Sequence, residues 1–458
     1  MEISEETDLP IGPHRHKLEG SYALEDIPEG VMDTNLYYHG NMLLRSDEGA
    51  AESSLPSQTP NTDDAHVLTD QDGLEDLSSF EIMEVSEISQ LMELPTELHG
   101  LKIEGCDALE DIPEGMMDNK PSLQHLNIFD CYSLKSFPGK NPTIALKLLY
   151  IQNCKRLDFL PPASKTNRYA LLEHLCLGSS CDPLISLPLG FFPKLKSLSI
   201  WDCANLESLT MPEGIQKDLT SLEALEIRDC PKLVSFPEGG LPAPNLTSIW
   251  FSNCKSLKEL PNKLHILISL QSMFVNNCPE LVSLSEGGLP SNLCLLSITF
   301  CDKIMLGMEW GLHRLDRLSQ LEIEGGCKNV ESFPEEKLLP SNLNSLCISR
   351  FLNLKYLDYK GLQHLTALNS LEISSCDELQ SLPEEGLPSS LSLLCIRECS
   401  LLKSKLLNNK GKERFKLAHI SCVEIDEEVI KDWSEIADVS CKETDEDVNL
   451  LKSPNLKQ

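Results

Sequence analysis

The sequence predicts a β-rich α/β solenoid: a curved horseshoe with a parallel sheet on its concave face and irregular turns or short helices on its convex face. Three observations predict it. Aliphatic residues recur at a fixed spacing, cysteine recurs at one place within that spacing, and 28 prolines in 458 residues interrupt the chain too often for long helices. One such repeat cannot bury its own apolar side chains, so neighbouring repeats must stack.

The repeat unit reads Leu-x-x-Leu-x-Ile-x-x-Cys-x-x-Leu-x-x-Leu/Phe-Pro and is clear from Leu123 to Pro138. Because Leu-x-Ile has a period of two, its side chains share one side of a short strand. Thirteen units recur about every 24 residues, which is the period of leucine-rich repeats, and a weaker unit spans Phe80 to Pro95. The central aliphatic residues are Ile103, Ile128, Ile151, Leu177, Ile200, Ile227, Phe251, Val275, Ile298, Ile323, Ile348, Ile373 and Ile396.

Cysteine has a structural explanation in this pattern. Ten of the 18 cysteines occupy the same place, where a small thiol can pack inward and make a weak hydrogen bond to the backbone. Cys181 and Cys327 fit after one extra residue. His174, Cys176 and Cys181 come nearest to a ligand cluster but lack zinc spacing, so we expect no metal and no other cofactor. The ten are Cys106, Cys131, Cys154, Cys203, Cys230, Cys254, Cys278, Cys301, Cys376 and Cys399.

The repeat pattern divides the chain into three parts. Residues 80–407 are predicted to form the solenoid of about 13–14 repeats, and residues 408–458 a C-terminal cap with a polar tail. Within the cap, Asp426 to Ala437 has the N-cap residue, first-turn acids and apolar stripe of a short helix that covers the last repeat.

The acidic N-terminal part, residues 1–79, is predicted to be largely disordered, because it is poor in aromatic residues. It contains a stray repeat copy, since Leu18 to Asp33 parallels Ile103 to Asp118. No strand-forming Leu-x-x-Leu precedes Leu18, so we do not expect this copy to stack on the solenoid.

Charge and targeting signals exclude several functions. The net charge is -32, and residues 1–95 carry 22 acidic against three basic side chains, so the chain repels nucleic acid and anionic lipid. The N-terminus lacks the features of a secretory signal, and no apolar run reaches the roughly 18 residues of a membrane span. We therefore expect a cytoplasmic protein, with the nucleus as an alternative, and no membrane or nucleic-acid partner.

The outward positions of the strands supply candidate binding residues. Large aromatic and arginine side chains recur there, and exposed rings of this kind anchor protein interfaces. The alternative is that the rings pack against one another across neighbouring strands. The candidate protein-binding residues are Phe129, Tyr150, Trp201, Arg228, Trp250, Phe274, Phe300, Arg350 and Arg397.

The phrases SLQHLNIFDCYSLKSFP and SLEALEIRDCPKLVSFPEGGLP resemble the leucine-rich-repeat region of plant intracellular NLR disease-resistance proteins of the coiled-coil class. The tail GKERFKLAHISCVEID is similar to that family's usual ending, and the resemblance covers roughly residues 80–430. It implies a domain that binds pathogen effectors or host proteins, with a separate NLR chain as one such partner. The sequence has no Gly-x-x-x-x-Gly-Lys-Ser/Thr loop, so nucleotide binding is not implied.

Other classes of function remain as alternatives. The sequence has no HExxH motif and no GxSxG elbow, so we expect no enzymatic activity. A ubiquitin-ligase adaptor would need a helical F-box ahead of the array, and a receptor ectodomain would need an Asn ladder in place of cysteine. The stray repeat copy raises the further alternative of a truncated, non-functional resistance-gene product.

Overall fold

A computed structural model of the chain describes residues 82–87, 95, 97–113, 122–136, 145–160, 169–211, 218–284, 287–327, 329–408, 416–426 and 428–429. The predicted disordered segment and the repeat copy within it lie outside the described residues.

The described residues form one large sheet of sixteen strands, parallel except for its last pair. Each of the thirteen predicted central residues lies on one of these strands, and the weaker first unit supplies the strand at the sheet's beginning, so the predicted solenoid is confirmed. The strands are Ile82–Val85, Gly100–Glu104, His125–Phe129, Leu148–Gln152, His174–Gly178, Ser197–Trp201, Ala224–Arg228, Ser248–Ser252, Ser272–Asn276, Leu295–Thr299, Gln320–Glu324, Ser345–Ser349, Ser370–Ser374, Leu393–Arg397, Cys422–Ile425 and Glu428–Val429.

Neighbouring strands pair without a shift in register. Leu126 lies beside Leu149, and Ile128 beside Ile151, so like positions of successive repeats form continuous columns. All four side chains are fully buried, and the inward columns join the leucines of the return segments in one apolar core. We call each strand a rung and name it by its central aliphatic residue.

The chain leaves the thirteen rungs from Ile103 to Ile396 through a left-handed residue, and we call these thirteen residues together the turn column. Its backbone N–H lengthens the ladder by one bond, as in the 3.0 Å contact from Asp130 N to Gln152 O. Glycine, asparagine and aspartate tolerate a positive φ best, and they hold most of this column. Its members are Gly105, Asp130, Asn153, Ser179, Asp202, Asp229, Asn253, Asn277, Phe300, Gly325, Arg350, Ser375 and Glu398.

The recurrent thiols sit directly after the turn column and point into the core, as predicted. Cys131, Cys230 and Cys254 are fully buried. Cys131 and Cys230 donate weak hydrogen bonds to the carbonyl two residues earlier, at 3.3 and 3.2 Å. In the Leu177 unit, Ser180 takes this place and donates to Gly178 O at 2.6 Å, while Cys181 packs one residue later.

The return segments are short and irregular. Two parallel ribbons of two strands each form where the segments after the thiol position of neighbouring repeats pair. Four single-turn 3-10 helices and two α-helices also occur among the described residues. No helix there is long and apolar enough to cross a membrane. The ribbons pair Ser186–Pro188 with Ser208–Thr210 and Ser332–Phe333 with Tyr356–Leu357; the 3-10 helices are Leu189–Phe191, Leu264–Ile266, Met308–Trp310 and Leu312–Arg314; the α-helices are Tyr359–Leu362 and Ser400–Asn408.

The C-terminal end differs from the prediction. The Cys422–Ile425 strand adds a parallel rung beyond residue 407, and Glu428–Val429 folds back against it as an antiparallel strand. Asp426 therefore does not begin a helix; it has a φ of 48°, pairs with Lys403 and accepts the N–H of Glu398 at 2.8 Å. Residues 430–437 of the expected helix lie outside the described residues.

Cys230→Ser is expected to lower the free energy of unfolding by about 1–3 kcal/mol, because a smaller and more polar hydroxyl replaces a fully buried sulfur. Urea denaturation measures the change. Cys294→Ser is the control, since Cys294 is half-buried and outside the recurrent place. Equal stability of the Cys230 variant and the wild type would contradict a packing role for the thiol.

Asn253→Ala is expected to destabilise the fold by about 1–3 kcal/mol. Alanine tolerates a φ of 55° poorly, and the change removes the amide bonds to Asp229 and from Asn277, both 2.7 Å long. Asn253→Gly is the matched variant, because it keeps the backbone conformation and loses the same bonds. If the alanine and glycine variants unfold at the same urea concentration, the left-handed turn does not limit stability.

Candidate functional site

Two columns of side chains cover the outward side of the sheet. We call the surface that these two columns form the solvent face. The central column contains, from each rung, the residue between the two inward aliphatic residues. The outer column contains the residue that directly follows the second of those aliphatic residues. The central column runs Glu84, Lys102, Asn127, Tyr150, Cys176, Ser199, Glu226, Trp250, Phe274, Ser297, Glu322, Cys347, Glu372, Cys395 and Glu424. The outer column runs Glu104, Phe129, Gln152, Gly178, Trp201, Arg228, Ser252, Asn276, Thr299, Glu324, Ser349, Ser374 and Arg397.

The first aromatic group consists of Phe129, Tyr150 and Trp201. The Phe129 and Tyr150 rings are 5.0 Å apart, and Tyr150 meets Trp201 edge-on at 5.7 Å. Trp201 lies across the backbone of Gly178 on the rung between them: a Cβ at Gly178 would be 2.3 Å from the indole Cε2. The Lys102 ammonium lies 5.7 Å from the Phe129 ring centre. Glycine at residue 178 is therefore a requirement of the group.

The second aromatic group consists of Trp250 and Phe274, which are neighbours in the central column. Their rings stack with centres 5.0 Å apart and an interplanar angle of 26°. Both side chains are half-buried, as are those of the first group. The rings thus pack against one another, which was the alternative interpretation, and each still presents part of its surface to solvent.

A buried ion pair lies between the two aromatic groups. On the Ile227 rung, Arg228 Nε is 2.6 Å from Glu226 Oε1, and the Glu226 side chain is only 3% exposed. Glu226 is the register partner of Trp250, and Arg228 that of Trp201. Burial raises the pKa of Glu226, while Arg228 and a hydrogen bond from Ser199 act in the opposite direction. The pair joins the two groups into one surface.

Phe300 and Arg350 lie in the turn column and not on a strand, which corrects the prediction. Their φ angles are 55° and 57°, and the Arg350 guanidinium lies 5.5 Å from the centre of the Phe300 ring. Gly325 occupies the turn column between them. Phe300 is 40% exposed, the largest exposure of the six predicted rings.

Arg397 lies apart from the aromatic side chains, near the C-terminal end of the face. Its guanidinium pairs with Glu372 on one neighbouring rung and, at 3.6 Å, with Glu424 on the other. The nine predicted residues therefore form two aromatic groups joined by Arg228, one ring–guanidinium pair and one separate arginine. The C-terminal rungs of the face are predominantly acidic.

Sequence reasoning missed the turn column, although the residue before most of the recurrent cysteines is Gly, Asn, Asp or Ser and signals a left-handed turn. It also missed the role of Gly178, because nothing local to a glycine shows that an indole from the next rung covers it. His174, one of the three residues that come nearest to a ligand cluster in the sequence, contacts Ser197 Oγ at 2.7 Å. Among the described residues no group of three or more His, Cys, Asp or Glu side chains could hold a metal ion.

The in-register rungs, the buried aliphatic columns and the spacing of about 24 residues define a leucine-rich-repeat solenoid. The chain is 47% identical over 378 residues to a protein of Arabidopsis thaliana described as a disease resistance protein, covering 82% of this chain and 26% of the relative. TMV resistance protein N of Nicotiana glutinosa is 27% identical over 282 residues, covering 60% of this chain and 23% of the relative. The chain is homologous to plant disease resistance proteins over its leucine-rich repeats, and it spans about a quarter of the length of these relatives.

No family model matches the chain. Among solved structures, a leucine-rich-repeat protein of Leptospira interrogans has 19% identity and a TM-score of 0.39, with 75% of this chain and 99% of that chain covered. The leucine-rich-repeat domain of the type III effector XopL has 19% identity and a TM-score of 0.33, with 60% and 97% covered. The fold assignment rests on the strand register and the burial of the chain itself.

Gly178→Ala is expected to displace the Trp201 indole, because the new methyl group would overlap it. The displacement should lower the free energy of unfolding by about 1–3 kcal/mol and separate Trp201 from Tyr150. Urea denaturation and a crystal structure of the variant measure these changes. Gly239→Ala is the control, since a Cβ there meets nothing within 4 Å. Identical stability of the two variants would contradict the packing described for Trp201.

Proposed function

We propose that this chain is a non-enzymatic recognition module of plant defence, whose solvent face, expected to be concave, binds a pathogen effector or a host protein. One observation carries the proposal: two half-exposed aromatic groups flank a buried ion pair on a single regular face. The similarity to proteins named for disease resistance and for resistance to TMV supports the setting in plant defence.

The rings of the two aromatic groups already contact one another in the unbound chain. Each ring of the two groups is fixed by a neighbouring ring, and Trp201 is also fixed by Gly178. Immobilising a flexible side chain opposes binding by about 0.5–1.5 kcal/mol, so rings that are already held lose less on association. Tryptophan, tyrosine and arginine are also the residue types that dominate interface energetics. These features favour protein recognition.

The thiols of the solvent face support binding over covalent chemistry. Burial raises the pKa of Cys176 to about 12, and it raises the pKa of Cys395 to about 12 with help from Glu424 and Glu372. Both thiols are therefore protonated at neutral pH, whereas a nucleophilic cysteine acts as the thiolate.

Trp201→Ala combined with Trp250→Ala is expected to abolish capture of the partner by the immobilised chain from extracts of infected leaves. Removing an anchor ring from an interface lowers the affinity by about 2 kcal/mol or more. Mass spectrometry of the captured proteins is the measurement, and thermal unfolding establishes that the variant is folded.

The control is Ile185→Ala with Ile268→Ala, two side chains that are 56% and 59% exposed and lie outside the solvent face. This control should capture the same proteins as the wild type. The proposal is wrong if the folded double tryptophan variant captures those proteins undiminished.

A further inference from the structure

Basic side chains are rare on the solvent face. Its two columns contain three of them, Lys102, Arg228 and Arg397. Lys102 pairs with Glu84 at 3.2 Å and with Glu104 at 2.6 Å, and Arg397 pairs with an acid on each neighbouring rung. Two of the three thus have two carboxylate partners, whereas Arg228 has one among the described residues.

Arg228 contacts that one carboxylate with the inner part of its guanidinium. Its Nε lies 2.6 Å from Glu226 Oε1 and is buried, whereas its terminal nitrogens are not. The Arg228 side chain as a whole is 22% exposed. No hydrogen bond joins the terminal nitrogens to a described residue. The ion pair therefore holds the guanidinium in place and leaves its outer donors accessible from the solvent face.

The middle of the solvent face carries no other exposed charge. On the seven rungs from Ile151 to Ile298, Glu226 and Arg228 are the only charged residues of the two columns. The Glu226 side chain is 3% exposed, and its second oxygen accepts a hydrogen bond from Ser199. A partner that approaches these rungs therefore meets the guanidinium of Arg228 and not the carboxylate beneath it.

The acids at the border of this region are engaged elsewhere. Asp202 and Asp229 follow the outer-column residues of two neighbouring rungs and belong to the turn column. They accept hydrogen bonds from Ser179 and Asn253, both 2.7 Å long, and neither forms an ion pair with Arg228. The terminal donors of Arg228 are thus left to an acceptor from outside the chain.

We propose that Arg228 binds a carboxylate of the protein partner through its terminal nitrogens, between the two aromatic groups. This inference rests on the proposed function. A guanidinium and a carboxylate form two parallel, charge-assisted hydrogen bonds. Two parallel bonds need two acceptor oxygens, which a carboxylate has and an amide lacks.

The position of Arg228 also describes the partner's surface. Trp201 lies one rung before Arg228 and Trp250 one rung after it, each about 4.8 Å away along the sheet. The partner therefore presents an acidic side chain with apolar groups on both sides, which exclude water from the ion pair. A second acidic side chain over the later rungs would be repelled by Glu322 and Glu372, so the charges also fix the partner's direction along the face.

Sodium phenylacetate tests the assignment, because it joins an aromatic ring and a carboxylate in one small molecule. At about 50 mM it should raise the melting temperature of the full chain by about 1 °C more than neutral phenylacetamide does at the same ionic strength. The difference should vanish when Glu226→Gln and Arg228→Gln are combined. It should persist in Arg156→Gln, the control, because Arg156 is exposed and lies outside the solvent face. An equal effect of phenylacetamide on the wild type would overturn the carboxylate assignment.

The two substitutions are combined because Arg228→Gln alone would leave the buried Glu226 carboxylate unpaired, which is costly. Glu226→Gln alone keeps the guanidinium and should keep the preference for phenylacetate. If Arg228 acted only by neutralising Glu226, the single Glu226→Gln variant and the double variant would bind phenylacetate equally. Equal binding by these two variants would therefore overturn the proposal.

Arg228→Lys applies even where the double variant does not fold, because it keeps a positive charge opposite Glu226. A compact ammonium group cannot form the two parallel bonds, so this variant should reduce the preference for phenylacetate at least about twofold. An undiminished preference in Arg228→Lys would show that charge alone is recognised and would refute the paired contact.

Partner capture separates this inference from the proposed function. The variant with both Glu226→Gln and Arg228→Gln should capture the partner from leaf extract about tenfold more weakly than Glu226→Gln does, because only the latter keeps the guanidinium. Equal capture by these two variants, with capture lost in the double tryptophan variant, would refute the role of Arg228 and leave the recognition face standing. Capture undiminished in all of them would refute the proposed function itself.

Discussion

Pairing of the rungs without a shift in register is the constraint on which the rest of the structure depends. A shift by one residue would turn the columns of Leu126 and Ile128 from the core to solvent. The corner after each strand maintains the register, because a left-handed residue adds one ladder bond and the following thiol turns inward. Asp130 and Cys131 show both contacts, the first to the next rung and the second to the carbonyl of Phe129.

The arrangement of side chains on the solvent face is a consequence of the same register. Side chains on the solvent face repeat at the strand spacing of about 4.8 Å, so rings on neighbouring rungs meet, as Trp250 and Phe274 do. A carboxylate two rungs from another can share one guanidinium, as Glu372 and Glu424 share Arg397. The order of residues along a column therefore determines which groups the solvent face presents and how far apart they lie.

The sequence predicts the rungs and the buried thiols well because both follow from a local pattern with a fixed period. It also identifies the rings of the solvent face, because outward positions alternate with aliphatic ones. It does not predict that Trp201 lies across Gly178 or that Glu226 is almost fully buried, because both depend on side chains from neighbouring rungs. The expected helix at Asp426 fails for a related reason: its carboxylate is engaged by Lys403 and by the backbone of Glu398, more than twenty residues away.

Residues of the solvent face do not act independently, although their side chains lie outside the core. Most surface substitutions change stability by less than about 0.5 kcal/mol, which would leave such a face free to vary. Trp201 requires a residue without a Cβ on the preceding rung, and Glu226 requires Arg228 because an unpaired buried carboxylate is costly. Phe300 and Arg350 adopt a backbone conformation that their residue types disfavour, and their side chains contact each other across the turn column. A substitution at these places therefore needs a compensating change in a neighbouring residue, because these side chains depend on one another in pairs.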